Sequence, residues 1–334
     1  MRAGQLAAAV PLLGLAACER STVLGGSTMG STYGITIPKL PAWIEPRALR
    51  ARIEGVLETV NQRMSTFRPD SELSRFNAGG AGRWHEVSAD TAVVVGHAQR
   101  VNRLTGGAFD VTVGGLVNRW GFGPPIWHAP RSAGLARRQA PPAAGDWGLH
   151  ARRSPPALMK PNAEVLVDLC GIAKGFGLDR VCALLDGLDI ADYLVEIGGE
   201  LRARGRDAAG EAWLVGIERP ALGPAVLQRV IRLEDRAVAT SGDYVNFYES
   251  GGRRYSHIID PRSGAPVEHA LAAVSVVARS AMTADALATA LMVLGPDRGL
   301  RLARRRRLAA LFMVRRGEGF AEARTPEFDR ALVV

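Results

Sequence analysis

The order of strand-like and helix-like segments in the second half of the chain restricts its fold more than any other feature. Two stretches with helical periodicity, 171–185 and 281–294, interrupt a series of short β-rich runs. The runs that are predicted as strands are 164–169, 192–197, 213–218, 228–233, 255–259, 271–279 and 308–314. Because several of them follow one another without a helix between them, the order is not a βαβ repeat. The sequence therefore predicts an α+β fold with mixed sheets and packed helices.

The first half of the chain contains fewer elements that can be predicted. Apolar and small or polar residues alternate over 33–37, which predicts a strand. Apolar positions keep one helical face over 46–64, and a second helix is predicted to start after Ser88 and to end before Gly106. Residues 130–163 are rich in Ala, Pro and Arg with little periodicity, so we expect a surface insertion there.

The N-terminus has the pattern of an export signal. A single positive charge at Arg2 precedes an apolar run of about 12 residues, which is too short to span a bilayer. The run ends in Leu-Ala-Ala-Cys18, which resembles the cleavage box of bacterial lipoproteins. This pattern predicts a signal peptide over 1–18 with lipidation of Cys18, a Gly/Ser/Thr-rich tether over 19–31, and one domain over 32–334. The protein would then be anchored on the periplasmic side of a bacterial membrane, inner or outer. The alternative is an apolar N-terminus with an incidental cysteine.

Charge and cysteine content exclude several classes of protein. The net charge of +9 suggests a nucleic-acid partner, but the arginines are scattered and only 304–307 form a tight run. Without a nucleic-acid-binding motif beside it, that run is better explained as a solvated helix face, and we expect no nucleic-acid partner. The three cysteines are too few for a disulfide framework or a four-ligand zinc site.

The helix predicted over 281–294 carries the strongest candidate for a functional residue. Because the stretch is nearly all apolar, it should be buried on most sides. Asp285 and Thr289 are spaced i and i+4, which places their oxygens on one face. A buried carboxylate needs a hydrogen bond, a counter-charge or a metal, and such oxygen ligands suit Mg²⁺. The alternative is a carboxylate that caps a neighbouring loop.

A second candidate is the glycine-rich turn Gly-Ile-Ala-Lys-Gly over 171–175, which follows a predicted strand and opens a helix. Such a turn presents backbone N–H groups, and a helix N-terminus favours a pyrophosphate. Lys174 adds a point charge for phosphate. The alternative is a turn whose glycines serve packing alone.

His257 is the one histidine of six in a dense polar segment, Tyr-Ser-His-Ile-Ile-Asp-Pro over 255–261. Histidine titrates near neutrality, so beside a phosphate site it can act as a base or orient one. The alternative is a hydrogen-bonded structural histidine.

Further dense segments complete a pattern that resembles the ApbE family of FAD:protein FMN transferases. They are Thr-Met-Gly-Ser-Thr at 28–32, the stretch 65–77, Gly-Ala-Phe-Asp-Val-Thr at 107–112 running to 120–123, Val-Asp-Leu-Cys at 167–170, Thr-Ser-Gly-Asp-Tyr at 240–244, and Thr-Ala-Asp-Ala-Leu-Ala-Thr at 283–289. With the segments described above, they resemble the family in order and spacing from Met29 to Gly295. The resemblance implies an α+β architecture related to the T-fold.

The resemblance also implies the residues of the site. The metal ligands would be Asp285, Thr289 and the backbone carbonyl of Ala173. The FAD contacts carried over by position are Met29, Phe67, Ala108, Phe109, Asp110, Cys170, Phe176 and Ile259. The family usually has tyrosine where Phe67 stands, so the stacking face is kept and the hydroxyl is lost. The alternative for Phe67 and Phe109 is that they are ordinary core aromatics.

The implied activity is the Mg²⁺-dependent transfer of FMN from FAD to a threonine hydroxyl of another protein, with release of AMP. Family acceptors are flavoprotein subunits of membrane electron-transport complexes that carry a short Ser/Thr-Gly-Ala-Thr type of sequence. Two alternatives stay open: hydrolysis of FAD to FMN and AMP, and a non-catalytic flavin-binding lipoprotein.

Overall fold

The computed structural model describes residues 10–11, 21–124, 148–221 and 223–333. Cys18, most of the predicted signal peptide, and residues 130–147 of the predicted insertion lie outside the described residues.

The bounds of the elements are as follows. The strands are β1 (Val10–Pro11), β2 (Thr22–Thr28), β3 (Ser31–Ile37), β4 (His85–Glu86), β5 (His150–Arg153), β6 (Pro156–Met159), β7 (Tyr193–Ile197), β8 (Glu200–Arg204), β9 (Trp213–Glu218), β10 (Leu227–Leu233), β11 (Ala237–Gly242), β12 (Phe247–Ser250), β13 (Arg253–Ser256), β14 (Ile259–Asp260), β15 (Ala265–Pro266), β16 (Leu271–Ala278), β17 (Ala309–Arg316) and β18 (Gly319–Arg324). The helices are α1 (Pro46–Met64), α2 (Glu72–Ala78), α3 (Ala89–Thr105), α4 (Gly114–Arg119), α5 (Ala173–Asp186), α6 (Ala281–Arg305) and α7 (Pro326–Asp329).

An eight-stranded sheet forms the middle of the molecule, in the order β18-β17-β16-β11-β8-β7-β3-β2. Its neighbouring strands are antiparallel. Because successive side chains of a strand point to opposite faces, β16 contributes to two cores. Val274 and Val276 pack on the helical side, and Ala273 and Val277 pack on the other. Both faces of the sheet are therefore covered, and the mixed α+β architecture predicted from the sequence is confirmed.

Helices α5 and α6 lie together on one face of this sheet, and α1 packs against α5. The opposite face is covered by the three-stranded sheet β1-β9-β10 and by α7, whose Phe328 is fully buried. The site described below lies on the α5–α6 side. Among the described residues, no helix combines the length and the apolar character that crossing a membrane requires.

Helix α6 is buried along its first half, as its apolar sequence predicts. Ser280 caps it by accepting a hydrogen bond from the Thr283 N–H (3.3 Å), and the Asp179 carboxylate accepts from the N–H groups of Ala281 and Met282 (both 3.0 Å). The helix continues beyond the predicted end, with a kink at Gly295 (φ +77°) just before a proline. Proline lacks the N–H that the helix would need, so the kink lies where the hydrogen-bond ladder is interrupted.

The predicted tether over 19–31 differs from the structure, because Thr22–Thr28 is strand β2 at the edge of the central sheet. A Cβ on Gly26 would lie 2.7 Å from Cε1 of Tyr33. Gly26 thus leaves room for the Tyr33 ring where β2 pairs with β3. In this stretch glycine marks a close approach between neighbouring strands and not a flexible linker.

The predicted surface insertion also differs in its described part, since β5 and β6 form a hairpin that pairs with β4. Ala157 and Leu158 are fully buried in this hairpin, and Lys160 is fully buried directly after it. The strand predicted over 255–259 is divided between β13 and β14, with His257 between them.

The prediction of a strand over 164–169 is wrong. Val165, Val167 and Leu169 are buried in alternation, as in a strand, but no ladder forms there. Instead the Asn77 side-chain amide donates to the Val167 carbonyl and its oxygen accepts from the Val167 N–H, both at 2.8 Å.

Candidate active site

The segment from Asp168 to Gly177, which we call the α5 entry, is the centre of the candidate site. It leads into the N-terminus of α5, and residues from several distant segments of the chain contact it. These contacts come from Thr66, Phe109, Thr289, Asp285, Glu200 and Met29. Most of the residue groups predicted from the sequence therefore meet at one place.

Asp285 joins α6 to the α5 entry. The residue is 3% exposed, and its Oδ2 accepts a hydrogen bond of 3.0 Å from the Gly175 N–H. Burial raises the pKa of the Asp285 carboxyl, while the charge of Lys174 and the Gly175 N–H act in the opposite direction. A Cβ on Gly175 would lie 2.4 Å from the Ala281 carbonyl oxygen, so only glycine allows the two helices to approach this closely.

The residues predicted as metal ligands offer oxygen atoms of the kind that Mg²⁺ prefers. Thr289 lies one turn further along α6, and its Oγ1 is 3.2 Å from Oγ of Ser241. Ala173 is the first residue of α5, two residues before Gly175. The described residues contain no group of three or more His, Cys, Asp or Glu that could hold a metal ion. The available ligands are thus a carboxylate, a hydroxyl and a carbonyl, and Mg²⁺ completes such sets with water and substrate oxygens.

Lys174 supplies the positive charge of the α5 entry. Its ammonium donates to Oε1 of Glu200, whose side chain is 3% exposed. Burial acts to lower the pKa of Lys174, but the charges of Glu200 and Asp285 outweigh it and raise the pKa. Lys174 is therefore positively charged at neutral pH, next to a helix N-terminus that favours anions.

Cys170 and Phe67 lie on the open side of the α5 entry. The Cys170 backbone N–H donates to the Asp168 carboxylate (2.8 Å), and its Sγ is 3.9 Å from Oγ1 of Thr66. Although solvent reaches Cys170, the surrounding protein raises the pKa of its thiol, and Asp168 adds to this. The thiol is therefore a neutral group at physiological pH. Phe67 follows Thr66 and is 56% exposed, so its ring face is available for stacking.

The remaining predicted FAD contacts differ in exposure. Met29 occupies the turn between β2 and β3 with a left-handed backbone (φ +49°), and its methyl group lies 2.8 Å from where a Cβ of Gly177 would stand. Ala108, Phe109, Phe176 and Ile259 are buried, and Phe109 places its ring edge beside Gly171. The Asp110 carboxylate accepts from the N–H and hydroxyl of Thr112, which orders the loop after Phe109. Their contacts with FAD stay a prediction.

His257 has a defined tautomer. Its Nδ1 lies 2.9 Å from the Asn246 carbonyl oxygen, which can only accept, so Nδ1 carries the proton and Nε2 the lone pair. Burial lowers the pKa of His257, and the positive charge of Lys174 adds to this, although the bond to Asn246 opposes both. The Phe122 ring meets the imidazole edge-on at 6.3 Å between centroids. The arrangement gives a neutral imidazole with an accepting Nε2.

Two nearby carboxylates are not available as bases. Asp243 accepts from both terminal nitrogens of Arg315, and Asp260 accepts from Nε and Nη2 of Arg262 at 2.8 and 2.7 Å. A bidentate guanidinium partner occupies both oxygens of the carboxylate.

A helix N-terminus with a lysine, buried oxygen atoms and a neutral histidine, on an α+β fold, are groups that suit a nucleotide phosphate. The chain belongs to the ApbE family, whose model matches residues 29–312. It is 43% identical to the FAD:protein FMN transferase of Vibrio cholerae (97% of each chain) and 40% identical to that of Haemophilus influenzae (95% of this chain, 94% of the relative). The solved structure of the flavin transferase ApbE from Vibrio cholerae matches with a TM-score of 0.81 and 40% identity, over 93% of this chain and 99% of that one.

Three residues at the site carry no predicted role. Ser241 and Thr66 lie within the dense segments, but no periodicity shows which of their hydroxyls face the site. Glu200 follows Gly198 and Gly199, which predict a hairpin turn, and nothing in that turn indicates that the carboxylate faces Lys174.

Proposed function

We propose that the protein transfers FMN from FAD to a threonine hydroxyl of an acceptor protein, with Mg²⁺ as the metal and AMP as the leaving product. The observation that carries this proposal is the bond between Asp285 and the Gly175 N–H. It supports the proposal because it joins the buried Asp285 carboxylate to a lysine-bearing helix N-terminus, where a pyrophosphate would bind.

The residues of the α5 entry bind and orient the pyrophosphate of FAD. Backbone N–H groups at the start of α5 and the Lys174 ammonium attract its oxygens. Asp285, Thr289 and the Ala173 carbonyl would hold Mg²⁺, which when bound offsets the charge that develops on the pyrophosphate oxygens. Met29 and Phe67 provide apolar surface for the rings of FAD.

His257 accepts the proton of the acceptor hydroxyl at Nε2. The threonine oxygen forms a bond to the phosphorus of the FMN half, and the bond from that phosphorus to the bridging oxygen breaks. The electron pair leaves on the phosphate of AMP. Because this transition state is loose, positioning and charge contribute more than the base does.

The family resemblance supports the proposal for the acceptor, and the N-terminal sequence supports the proposal for the location. The acceptor would be a flavoprotein subunit of a membrane electron-transport complex that carries a Ser/Thr-Gly-Ala-Thr type of sequence. Lipidation at Cys18 would hold the enzyme on the periplasmic side of the membrane, where it meets such a subunit.

The test is to incubate the purified protein with FAD, Mg²⁺ and a candidate acceptor, and to measure the intact mass of the acceptor. We expect a gain of one FMN minus one water, and none in an acceptor whose target threonine is replaced by valine. Free FMN and AMP without modified acceptor would support FAD hydrolysis instead. FAD that stays intact under all conditions would support the non-catalytic binding protein.

A further inference from the structure

Glu200 is a buried residue with a carboxyl group that the proposed chemistry does not use. Burial raises the pKa of this carboxyl, and the charge of Lys174 acts in the opposite direction. Glu200 is the first residue of β8, directly after the two-glycine turn from β7. One carboxylate oxygen, Oε1, accepts from the Lys174 ammonium. The other, Oε2, is buried and has no hydrogen-bond partner among the described residues. A buried carboxylate oxygen without a partner is destabilising, so the pair is poor evidence of a purely stabilising role.

The turn before Glu200 is built around the stem of Lys174. Gly198 has a left-handed backbone (φ +58°), and a Cβ there would lie 3.3 Å from Cδ of Lys174 and 3.0 Å from Oγ of Ser31. The Glu196 carboxylate accepts from the Gly199 N–H at 2.7 Å and fixes the turn. The aliphatic part of the Lys174 side chain thus packs against the turn, and the Glu200 carboxyl group lies next to its ammonium group.

This arrangement restricts a side chain that is otherwise flexible. A lysine carries many rotamers, and its ammonium has three donors. Glu200 takes one of them and fixes the direction of the other two. The Lys174 side chain is 23% exposed, so solvent or a ligand still reaches it.

We propose that Glu200 is a positioning residue, which acts through Lys174 to aim the ammonium at the pyrophosphate of FAD. This inference rests on the proposed function of the α5 entry as the pyrophosphate site. It does not depend on whether the acceptor is threonine or water.

The test compares ligands with and without a pyrophosphate in the full-length protein. Dissociation constants for FAD and for riboflavin are measured by flavin fluorescence for the wild type, Glu200→Gln, Glu200→Asp, Lys174→Met and the double variant Lys174→Met/Glu200→Gln. We expect Glu200→Gln to weaken FAD binding about 10-fold, the scale of one charge-assisted hydrogen bond, and to leave riboflavin binding unchanged. Glu200→Asp should recover part of the loss. The double variant should bind FAD no more weakly than Lys174→Met, because the two residues act together.

The matched control is Glu196→Gln, which removes a carboxylate charge from the same turn and keeps an oxygen to accept from the Gly199 N–H. We expect its FAD affinity to stay within 2-fold of the wild type, since the Lys174 ammonium donates to Glu200 and the Glu196 carboxylate accepts from the Gly199 N–H.

Three results would overturn the proposal: wild-type FAD binding by Glu200→Gln, an equal loss of FAD and riboflavin binding, or additive losses in the double variant. If Glu200→Gln does not fold, the FAD affinities of Glu200→Asp and of the double variant, in which one positive and one negative group are removed together, test the proposal instead. Wild-type FAD affinity in the double variant would then contradict the proposal. Because these are binding measurements, a chain that binds FAD in this manner but modifies no acceptor would refute the proposed function and leave the positioning role supported.

Discussion

The Gly175 N–H and the Asp285 carboxylate are joined by a 3.0 Å hydrogen bond that links the first turn of α5 to the first half of α6. The bond brings a predicted phosphate site and a predicted metal site into contact, although 110 positions separate the two residues in the chain. Both helices must keep their close approach for the site to exist.

Gly175→Ala should therefore damage the site through the helix spacing. The new methyl group would meet the Ala281 carbonyl oxygen at 2.4 Å, so α5 and α6 would have to separate. We expect a loss of stability of about 1–3 kcal/mol, measured by urea unfolding, together with a lower apparent affinity for Mg²⁺. Gly55→Ala is the control, because a Cβ at that α1 position meets nothing within 4 Å. It should leave activity unchanged and stabilise the protein by about 0.5–1 kcal/mol.

Asp285→Asn should remove turnover and keep the fold. The asparagine oxygen still accepts from Gly175, whereas the negative charge that a cation requires is lost. We expect a fall in turnover of at least about 10²-fold, with a thermal unfolding midpoint close to that of the wild type. Asp285→Ala should lose the same activity and additional stability, because it leaves the Gly175 N–H unpaired. Excess EDTA should inactivate the wild type, and full activity in EDTA would end the metal hypothesis.

Ser241→Ala should raise the Mg²⁺ concentration needed for half-maximal activity by about 10–100-fold, because the Ser241 hydroxyl orients that of Thr289 at 3.2 Å. Saturating Mg²⁺ should restore most of the rate. Thr240→Ala is the comparison, since the Thr240 hydroxyl bonds to Ser275 (2.8 Å) and not to Thr289. It should alter stability but not the Mg²⁺ dependence. An equal Mg²⁺ response in the two variants would exclude Ser241 from the site.

Local signals predicted the elements that are bounded by caps. Helix α1 runs over the predicted residues because Glu45 and Pro46 define its start, and α3 lies between the Ser88 cap and Gly106 in a left-handed conformation. Strand β2 could not be predicted, since its glycines are explained only by the backbone and the ring of Tyr33 across the sheet.

Where the sequence-based prediction failed, the structure of the segment depends on tertiary contacts. The burial of 165–169 alternates as in a strand, but the Asn77 side chain takes the place of a neighbouring strand at Val167. The site residues also divide into those that local sequence predicts and those that depend on tertiary contacts. The spacing of Asp285 and Thr289 was visible on one helix, whereas the contacts of Ser241 and Glu200 depend on how distant strands pack.

Cys18→Ser should change the location of the protein and not its chemistry. If Cys18 carries the lipid, the variant should no longer fractionate with membranes, and incorporation of labelled fatty acid should be lost. A chain that starts at residue 19 should stay active in solution. Cys182→Ala is the control, because that thiol is buried in the core and should not affect fractionation. Wild-type protein found in the cytoplasm with residues 1–17 intact would refute the export prediction.

His257→Ala should lower the rate more than the affinity. Loss of a general base typically reduces a rate by about 10²–10⁴-fold, and we expect FAD binding to stay within a few-fold. His257→Gln is the companion variant, since its amide N–H₂ is a donor for the Asn246 carbonyl but the side chain has no titrating nitrogen.

The pH dependence gives the sharper test of His257. Burial lowers its pKa below the ordinary 6.5, so the imidazole is neutral and able to accept a proton at pH 7. The rate should therefore be constant near neutrality and fall as the pH decreases through that lowered pKa, and both variants should lack this acid limb. A collapse of FAD affinity in both variants would instead make His257 a binding residue. If neither rate nor affinity changed, its hydrogen bond to Asn246 would be structural alone. Asp243 and Asp260 would not replace His257 as the base, because Arg315 occupies the carboxylate of Asp243 and Arg262 occupies that of Asp260.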